Sequence, residues 1–269
     1  MTRLEGPIVG DVAAHFRFRW KEITGEGPPP GPAPVPVGDV RAQIVRTIPE
    51  RIYAGCPTGE FGILESYVRT LRSAEQFVYL ENQYLWSPEI VDILRAKLRH
   101  PPSEEFRVLI VLPSKANTGS DNTRGQLGLL AESDGGRGRF LACTISPRGH
   151  PVYVHAKVAI VDDRWMTIGS ANLNEHSLFN DTEVNISVWD TSLAQRTRRM
   201  LWAEHLETTP EALGASPTRV IDEWWWPVAE EQLRRRRHGI RTHRVIRLEH
   251  VTRRSDRLVG PLQNLLVDG

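Results

Sequence analysis

The feature that most constrains the fold is a strand-like segment at residues 152–162, VYVHAKVAIVD. Apolar and β-branched residues alternate along it, which predicts a β-strand whose side chains point in turn to two faces. His155 and Lys157 then share one face and lie about 7 Å apart along the strand. The run at 164–168 predicts a short return strand, and the small residues at 169–171 predict a turn that brings Asn172 toward the same pair.

These three side chains suggest chemistry on a phosphate diester. Such a reaction needs a nucleophile or an acid, together with cationic or hydrogen-bond-donating groups on the non-bridging oxygens. A lone histidine on a strand is usually structural. Of the nine histidines in the chain, however, only His155 is followed two places later by a lysine, and this favours a functional interpretation.

The motifs resemble a known family. HAKVAIVD followed by GSAN is similar to the H-x-K-x₄-D signature of the phospholipase D superfamily, and the segments FVYLENQY (77–84) and NDTEV (180–184) resemble further parts of it. The resemblance covers most of residues 6–206 and is closer to the phospholipases than to the small nucleases of the superfamily. Residues 6–20 are similar to the segment after the first motif of two-motif phospholipases D. The chain therefore resembles the C-terminal half of such an enzyme, and no second H-x-K occurs in it.

The resemblance implies a phosphohistidine mechanism in which two motifs meet across a pseudo-twofold axis. One histidine attacks phosphorus, and the other protonates the departing alcohol and then activates water or a second alcohol. If this motif corresponds to the second one, His155 is the general acid/base. Lys157 and Asn172 bind the phosphate, with Ser170 a weaker candidate beside them.

Two carboxylates receive supporting roles by the same resemblance. Glu183 is expected to accept a hydrogen bond from His155 and so to orient the imidazole and stabilise its cation. Asp162, at the far end of the strand, is expected to support structure. Neither a metal nor any other cofactor is implied, since lysine and asparagine side chains hold the phosphate oxygens.

A single motif supplies only half of a reaction centre, so three interpretations remain open. The first is a phospholipase D-like phosphodiesterase or phosphatidyl transferase that acts on glycerophospholipids and needs a second half-site, from a homodimer or from a separately encoded first half. The second is a single-motif homodimeric nuclease, for which nucleic acid is the weaker substrate candidate. The third is a catalytically inactive half-molecule.

The order of elements predicts an α/β fold with a mixed, largely parallel sheet and helices on both faces. Residues 1–206 are expected to form a catalytic half-domain that contains a proline-rich loop at 25–38, followed by a Trp- and Arg-rich C-terminal extension at 207–269. An apolar stripe on the first helix predicts core or interface packing; it comprises Ile8, Val9, Val12, Phe16 and Trp20.

Charge and hydropathy add expectations about location. The net charge is +1, so the whole molecule has no strong field for polyanions. There is no apolar run near twenty residues and no signal-peptide pattern at Met1, which favours a cytoplasmic protein. Trp224–Trp226 and the ten arginines between 234 and 257 suggest peripheral membrane contact through aromatic and basic side chains.

Overall fold

The computed structural model describes residues 2–115, 117 and 120–249. It contains a nine-stranded sheet in the order β2-β1-β8-β7-β6-β3-β4-β5-β9. The strands are β1 Arg41–Ile48, β2 Glu60–Phe61, β3 Phe77–Glu81, β4 Arg107–Val111, β5 Phe140–Ile145, β6 Val158–Val161, β7 Trp165–Gly169, β8 Glu183–Trp189 and β9 Val245–Arg247. The helices are α1 Ile8–Thr24, α2 Gly62–Ser73, α3 Pro88–Arg99, α4 Ser120–Asp134, α5 Thr191–His205, α6 Pro217–Val220 and α7 Trp226–Arg237.

The α/β class is confirmed, but the expectation of a largely parallel sheet is wrong. Only β3–β4 and β4–β5 pair in parallel, whereas the other six neighbouring pairs are antiparallel. The physical reason lies in the connections. A short turn at residues 162–164 joins β6 to β7, and so short a connection forces the two strands to run in opposite directions. The longer connection from β7 to β8 also returns the chain antiparallel to β7.

Helices cover both faces of the sheet, as predicted. On one face, α2, α3 and α4 pack over a core that includes Tyr67, Leu94 and Leu130. On the other, α5 and α7 pack over a second core that includes Trp202 and Trp225. Local signals set several helix ends: α3 begins at Pro88, and the side chain of Ser87 accepts a hydrogen bond from the Ile90 N–H.

Part of the expected C-terminal extension is integral to this fold. Strand β9 pairs with β5, and Trp225 is fully buried. The indole of Trp226 donates a hydrogen bond to the Gly138 carbonyl at 3.2 Å. The tryptophans thus pack against the sheet, which removes the aromatic part of the argument for membrane contact. Residues 250–269, with the last three of the ten arginines, lie outside the described residues.

Of the five residues in the apolar stripe of α1, Ile8 packs against the second core, whereas Val9, Val12, Phe16 and Trp20 are exposed. Phe16 and Trp20 are 55% and 49% exposed, and their ring centroids lie 5.6 Å apart. Core packing within the chain is therefore ruled out for these two rings, while a role at an interface stays a prediction. The proline-rich segment 25–38 that follows contains neither helix nor strand, as expected. Among the described residues, no helix combines the length and apolarity needed to cross a bilayer.

Candidate functional half-site

The predicted site residues lie at one edge of the sheet, around the start of β6 and the turn after β7. Strand β6 begins only at Val158, so His155 and Lys157 belong to the extended segment that leads into it and not to the strand itself. Side-chain alternation nevertheless holds there. Lys157 and Tyr153, four residues apart, reach the same neighbouring side chain.

That neighbour is Gln83, the centre of the hydrogen-bond network. Its Oε1 accepts hydrogen bonds from Lys157 Nζ at 3.3 Å and from Asn172 Nδ2 at 3.5 Å. Its Nε2 donates to the Tyr153 hydroxyl at 2.8 Å. Lys157 Nζ also donates to the carbonyl oxygen of His155 at 3.0 Å. Gln83 was not among the predicted site residues; the signal that could have identified it is its place in the ENQY segment.

The imidazole of His155 is exposed beside this network. The ring centroids of Tyr153 and His155 lie 6.5 Å apart. Within the described part of the chain, neither ring nitrogen of His155 makes a hydrogen bond. Both nitrogens are thus accessible to a reacting group from outside.

The carboxylate of Glu183 has different partners from the one expected. It accepts hydrogen bonds from the hydroxyls of Ser170 and Ser177, the latter at 2.7 Å. Across the described residues, no hydrogen bond joins it to His155. Ser170 lies in the turn and Ser177 in the helical turn that follows, so Glu183 ties the segment after β7 to the start of β8.

Glu183 also acts electrostatically on Lys157. The lysine is buried, 6% exposed, and burial lowers the pKa of its ammonium group, while the nearby carboxylate of Glu183 raises it. A charged ammonium has three donors. Two of them are used by Gln83 and the His155 carbonyl. The third is available for an anionic ligand.

Two asparagines hold the turn that carries Asn172. Asn185 Oδ1 accepts from the Ala171 N–H at 3.2 Å, and Asn82 Oδ1 accepts from the Leu173 N–H at 3.3 Å. Gly169 is required here, since a Cβ at that position would lie 2.0 Å from Asn185 Oδ1. Neither asparagine was predicted, because each acts across a long sequence separation.

Asp162 lies at the opposite end of β6. Its carboxylate accepts three backbone N–H groups, from Glu75 at 2.7 Å and from Gln76 and Phe77 at 2.8 Å each. These contacts fix the start of β3, so Asp162 has a structural task away from His155. In the described ranges, no group of three or more His, Cys, Asp or Glu side chains is placed to hold a metal ion.

Comparison with known proteins adds independent information. A family model described as "Cardiolipin synthase, PLD-like domain" matches residues 67–204, just over half of the chain. Phospholipase D A of Dictyostelium discoideum is 26% identical over 78% of this chain and 21% of its own length. Phospholipase D2 of Bos taurus is 32% identical over 56% of this chain and 21% of its own length.

The chain thus spans about a fifth of the length of these relatives. Among solved structures, the crystal structure of Nuc from Salmonella typhimurium, a phospholipase D family member, is 20% identical. It aligns over 60% of this chain and 90% of its own, with a TM-score of 0.45. On the match of the family model, this chain belongs to the phospholipase D superfamily.

Proposed function

We propose that the chain supplies one half of a phospholipase D-type phosphodiesterase centre, with His155 as its general acid/base. The observation that carries this proposal is the convergence of Lys157 Nζ and Asn172 Nδ2 on one oxygen, Gln83 Oε1. Two donors held toward one point, one of them cationic, suit the non-bridging oxygens of a phosphate. The accessible imidazole of His155 lies beside them.

The reaction proceeds in two displacements. A histidine of the second half-site attacks phosphorus, the bond from phosphorus to the head-group oxygen breaks, and that oxygen takes a proton from the His155 imidazolium. Neutral His155 then takes a proton from water, whose oxygen attacks phosphorus and releases the first histidine. An alcohol in place of water would give phosphatidyl transfer. Lys157 and Asn172 stabilise the charge on the phosphate oxygens in both steps. Ser170, which donates a hydrogen bond to Glu183, is the weaker candidate for binding the same oxygens.

Glycerophospholipid is the proposed substrate class, because the relatives named above are phospholipases D. The second half-site would come from another copy of this chain or from a separate polypeptide. Lys157 supplies the positive charge that binds the phosphate oxygens. We therefore expect activity to be independent of metal and to survive a chelator. Contact with a membrane would be peripheral.

The test is choline release from phosphatidylcholine vesicles, measured at increasing concentrations of the full chain alongside sedimentation equilibrium. If a second copy completes the centre, specific activity rises with the dimer fraction. His155→Ala should lower turnover by about 10²–10⁴-fold, the usual contribution of a general acid/base. His100→Ala is the matched control, because His100 is an exposed histidine at the far end of α3, and its activity should stay within about twofold of the parent.

Other outcomes would redirect the proposal. Activity that persists in His155→Ala would exclude the assigned site, and loss of activity with chelator would exclude the metal-independent route. Nicking of plasmid DNA that depends on His155, without lipid turnover, would identify the nuclease alternative. Absence of both activities in a populated dimer would leave a separate first half, or an inactive half-molecule, as the explanation.

A further inference from the structure

A polar cavity lies along the same edge of the sheet as the half-site. It occupies about 460 Å³, within the range of small-molecule pockets. It lies between the end of β5, the loop that leads to His155, and the segment between α7 and β9. Its wall includes the hydroxyl-bearing Thr144, Ser146 and Thr242 and two arginines, Arg236 and Arg241, together with apolar and small residues.

One hydroxyl in the cavity wall, that of Thr144, lacks a hydrogen-bond partner among the described residues. Thr144 is only 2% exposed. Leaving a buried hydroxyl unpaired is costly, and buried polar atoms normally have partners. Ser146 beside it is 4% exposed, and its hydroxyl lies 3.3 Å from that of Thr242. These three hydroxyl-bearing side chains thus border the cavity, and small rotations of their side chains would be needed to turn the hydroxyls toward a ligand.

The two arginines give the cavity a positive charge. Within the described part of the chain, the Arg236 guanidinium makes no hydrogen bond or ion pair. Arg241 crosses directly over Gly149, because a Cβ at position 149 would lie 2.6 Å from Arg241 Cγ and Nε. The Arg241 Nη2 is 3.4 Å from His150 Nε2. The carboxylate of Glu249, just after β9, is ion-paired with Arg237.

A third guanidinium, that of Arg124, lies near that of Arg236. Arg124 donates to the carbonyl oxygen of Ser114 at 2.8 Å. Burial lowers the pKa of Arg124 and the charge of Arg236 lowers it further, while the carboxylate of Glu249 raises it, so Arg236 lies near enough to Arg124 for the two cations to repel each other. An anion in the cavity would relieve this repulsion.

We propose that this cavity binds the phosphoryl group of a phosphomonoester, at a subsite separate from the half-site. Guanidinium groups and hydroxyl donors match the several acceptor oxygens of a phosphoryl group. Pro151, Ile240 and Ile246 leave apolar wall for the organic part of the ligand. Pro151 is four residues from His155, at most about 13 Å of extended chain, so a ligand here would lie next to a phosphodiester at the half-site. The phosphoryl group could come from a soluble phosphomonoester or from an anionic lipid head group.

The experiment uses the full chain with two probes. Glycerol 3-phosphate is titrated by calorimetry, and binding to phosphatidylcholine vesicles with and without phosphatidic acid is measured by flotation. Saturable binding of glycerol 3-phosphate identifies a soluble source, and binding only to vesicles with phosphatidic acid identifies the lipid source. Either Arg236→Gln or Arg241→Gln should weaken the observed binding at least tenfold.

Thr144→Val provides a variant whose folding is not at risk. It removes a hydroxyl that has no partner among the described residues, so it should leave thermal stability unchanged or raise it, while weakening binding about tenfold. Arg219→Gln removes the same charge from an exposed site on α6 and should have no effect on binding.

His155→Ala separates this proposal from the proposed function. Binding that survives His155→Ala supports a distinct subsite, even if the chain has no turnover. Binding lost in His155→Ala but kept in Arg236→Gln would place the ligand in the half-site and overturn the inference. An equal loss in Arg219→Gln would indicate nonspecific charge attraction, and no binding of either probe would also overturn it.

Discussion

The two ends of β6 carry charged side chains in contrasting states. At the far end, Asp162 accepts three backbone N–H groups. Asp163 next to it pairs with the fully buried Arg198, through Nε at 2.7 Å and Nη2 at 2.8 Å. The carboxylate oxygens of both aspartates therefore have partners within the chain.

At the near end, hydrogen-bonding groups are left unpaired. Lys157 has one donor without a partner among the described residues, and the buried Oδ1 of Asn172 has none either. His155 is exposed. Unpaired buried groups are unfavourable for folding. The far end has one as well, Arg198 Nη1, but both carboxylates there are fully paired. The comparison separates charges that hold the fold together from charges held ready for a ligand.

The largest expected effect on stability is at the far end, in Arg198→Met. The substitution leaves Asp163 buried without its partner and also removes the guanidinium packed 4.8 Å from the Trp202 ring centroid. We expect a loss of about 3–5 kcal/mol in the free energy of unfolding, measured by urea denaturation. Arg219→Met, which breaks an exposed pair with Glu223, should cost no more than about 1 kcal/mol. Similar losses of stability in Arg198→Met and Arg219→Met would contradict the structural role assigned to the buried pair.

Asp162→Asn should have the next largest effect. Asp162 has a positive φ of 52°, which asparagine tolerates, so the backbone is kept. One carboxylate oxygen becomes an amide group that cannot accept from the N–H groups of residues 75–77. We expect a loss of about 1–3 kcal/mol by the same measurement. Asp92→Asn, on the exposed surface of α3, is the control and should change stability by less than about 0.5 kcal/mol. A neutral Asp162→Asn would mean that these contacts do not support β3.

Lys157→Met tests the near end. The substitution removes a cation that is unfavourably buried, so the free energy of unfolding should change by less than about 1 kcal/mol in either direction. Phosphodiesterase activity of the completed enzyme should nevertheless fall at least about a hundredfold, because a cationic donor to the phosphate is lost. A stability loss as large as that of Arg198→Met would show that Lys157 is structural.

The smallest effect is a pH shift in Glu183→Gln. Lys157 is cationic below its pKa, so activity should be lost as pH rises through that value, which burial already places below the ordinary lysine range. Removing the carboxylate removes the interaction that raises this pKa. The alkaline limb of kcat/KM should therefore move to lower pH. Ser177→Ala keeps the charge of Glu183 and should leave the limb in place, whereas an unchanged limb in Glu183→Gln would argue against the electrostatic role.

Much of the fold follows from local patterns. The alternating run before Asp162 and the apolar segments of β4 and β5 indicate which side chains are buried. Ser87 and the proline after it mark the start of α3. The proline-rich segment 25–38 excluded regular structure for an equally local reason. These signals placed the elements and the helices on both faces, but strand direction was not among them. Side-chain periodicity identifies the buried face of a strand, and parallel and antiparallel strands share that period.

What the sequence alone determined is the set of residue types and the spacing at the half-site. His155, Lys157 and Asn172 could be chosen because they are close in the chain and their motif is specific. Only the tertiary structure decided their partners: Gln83 between lysine and asparagine, and the two serines on Glu183 in place of His155. Hydrogen bonds and ion pairs between elements depend on how the chain packs in three dimensions, and neither periodicity nor spacing records that packing.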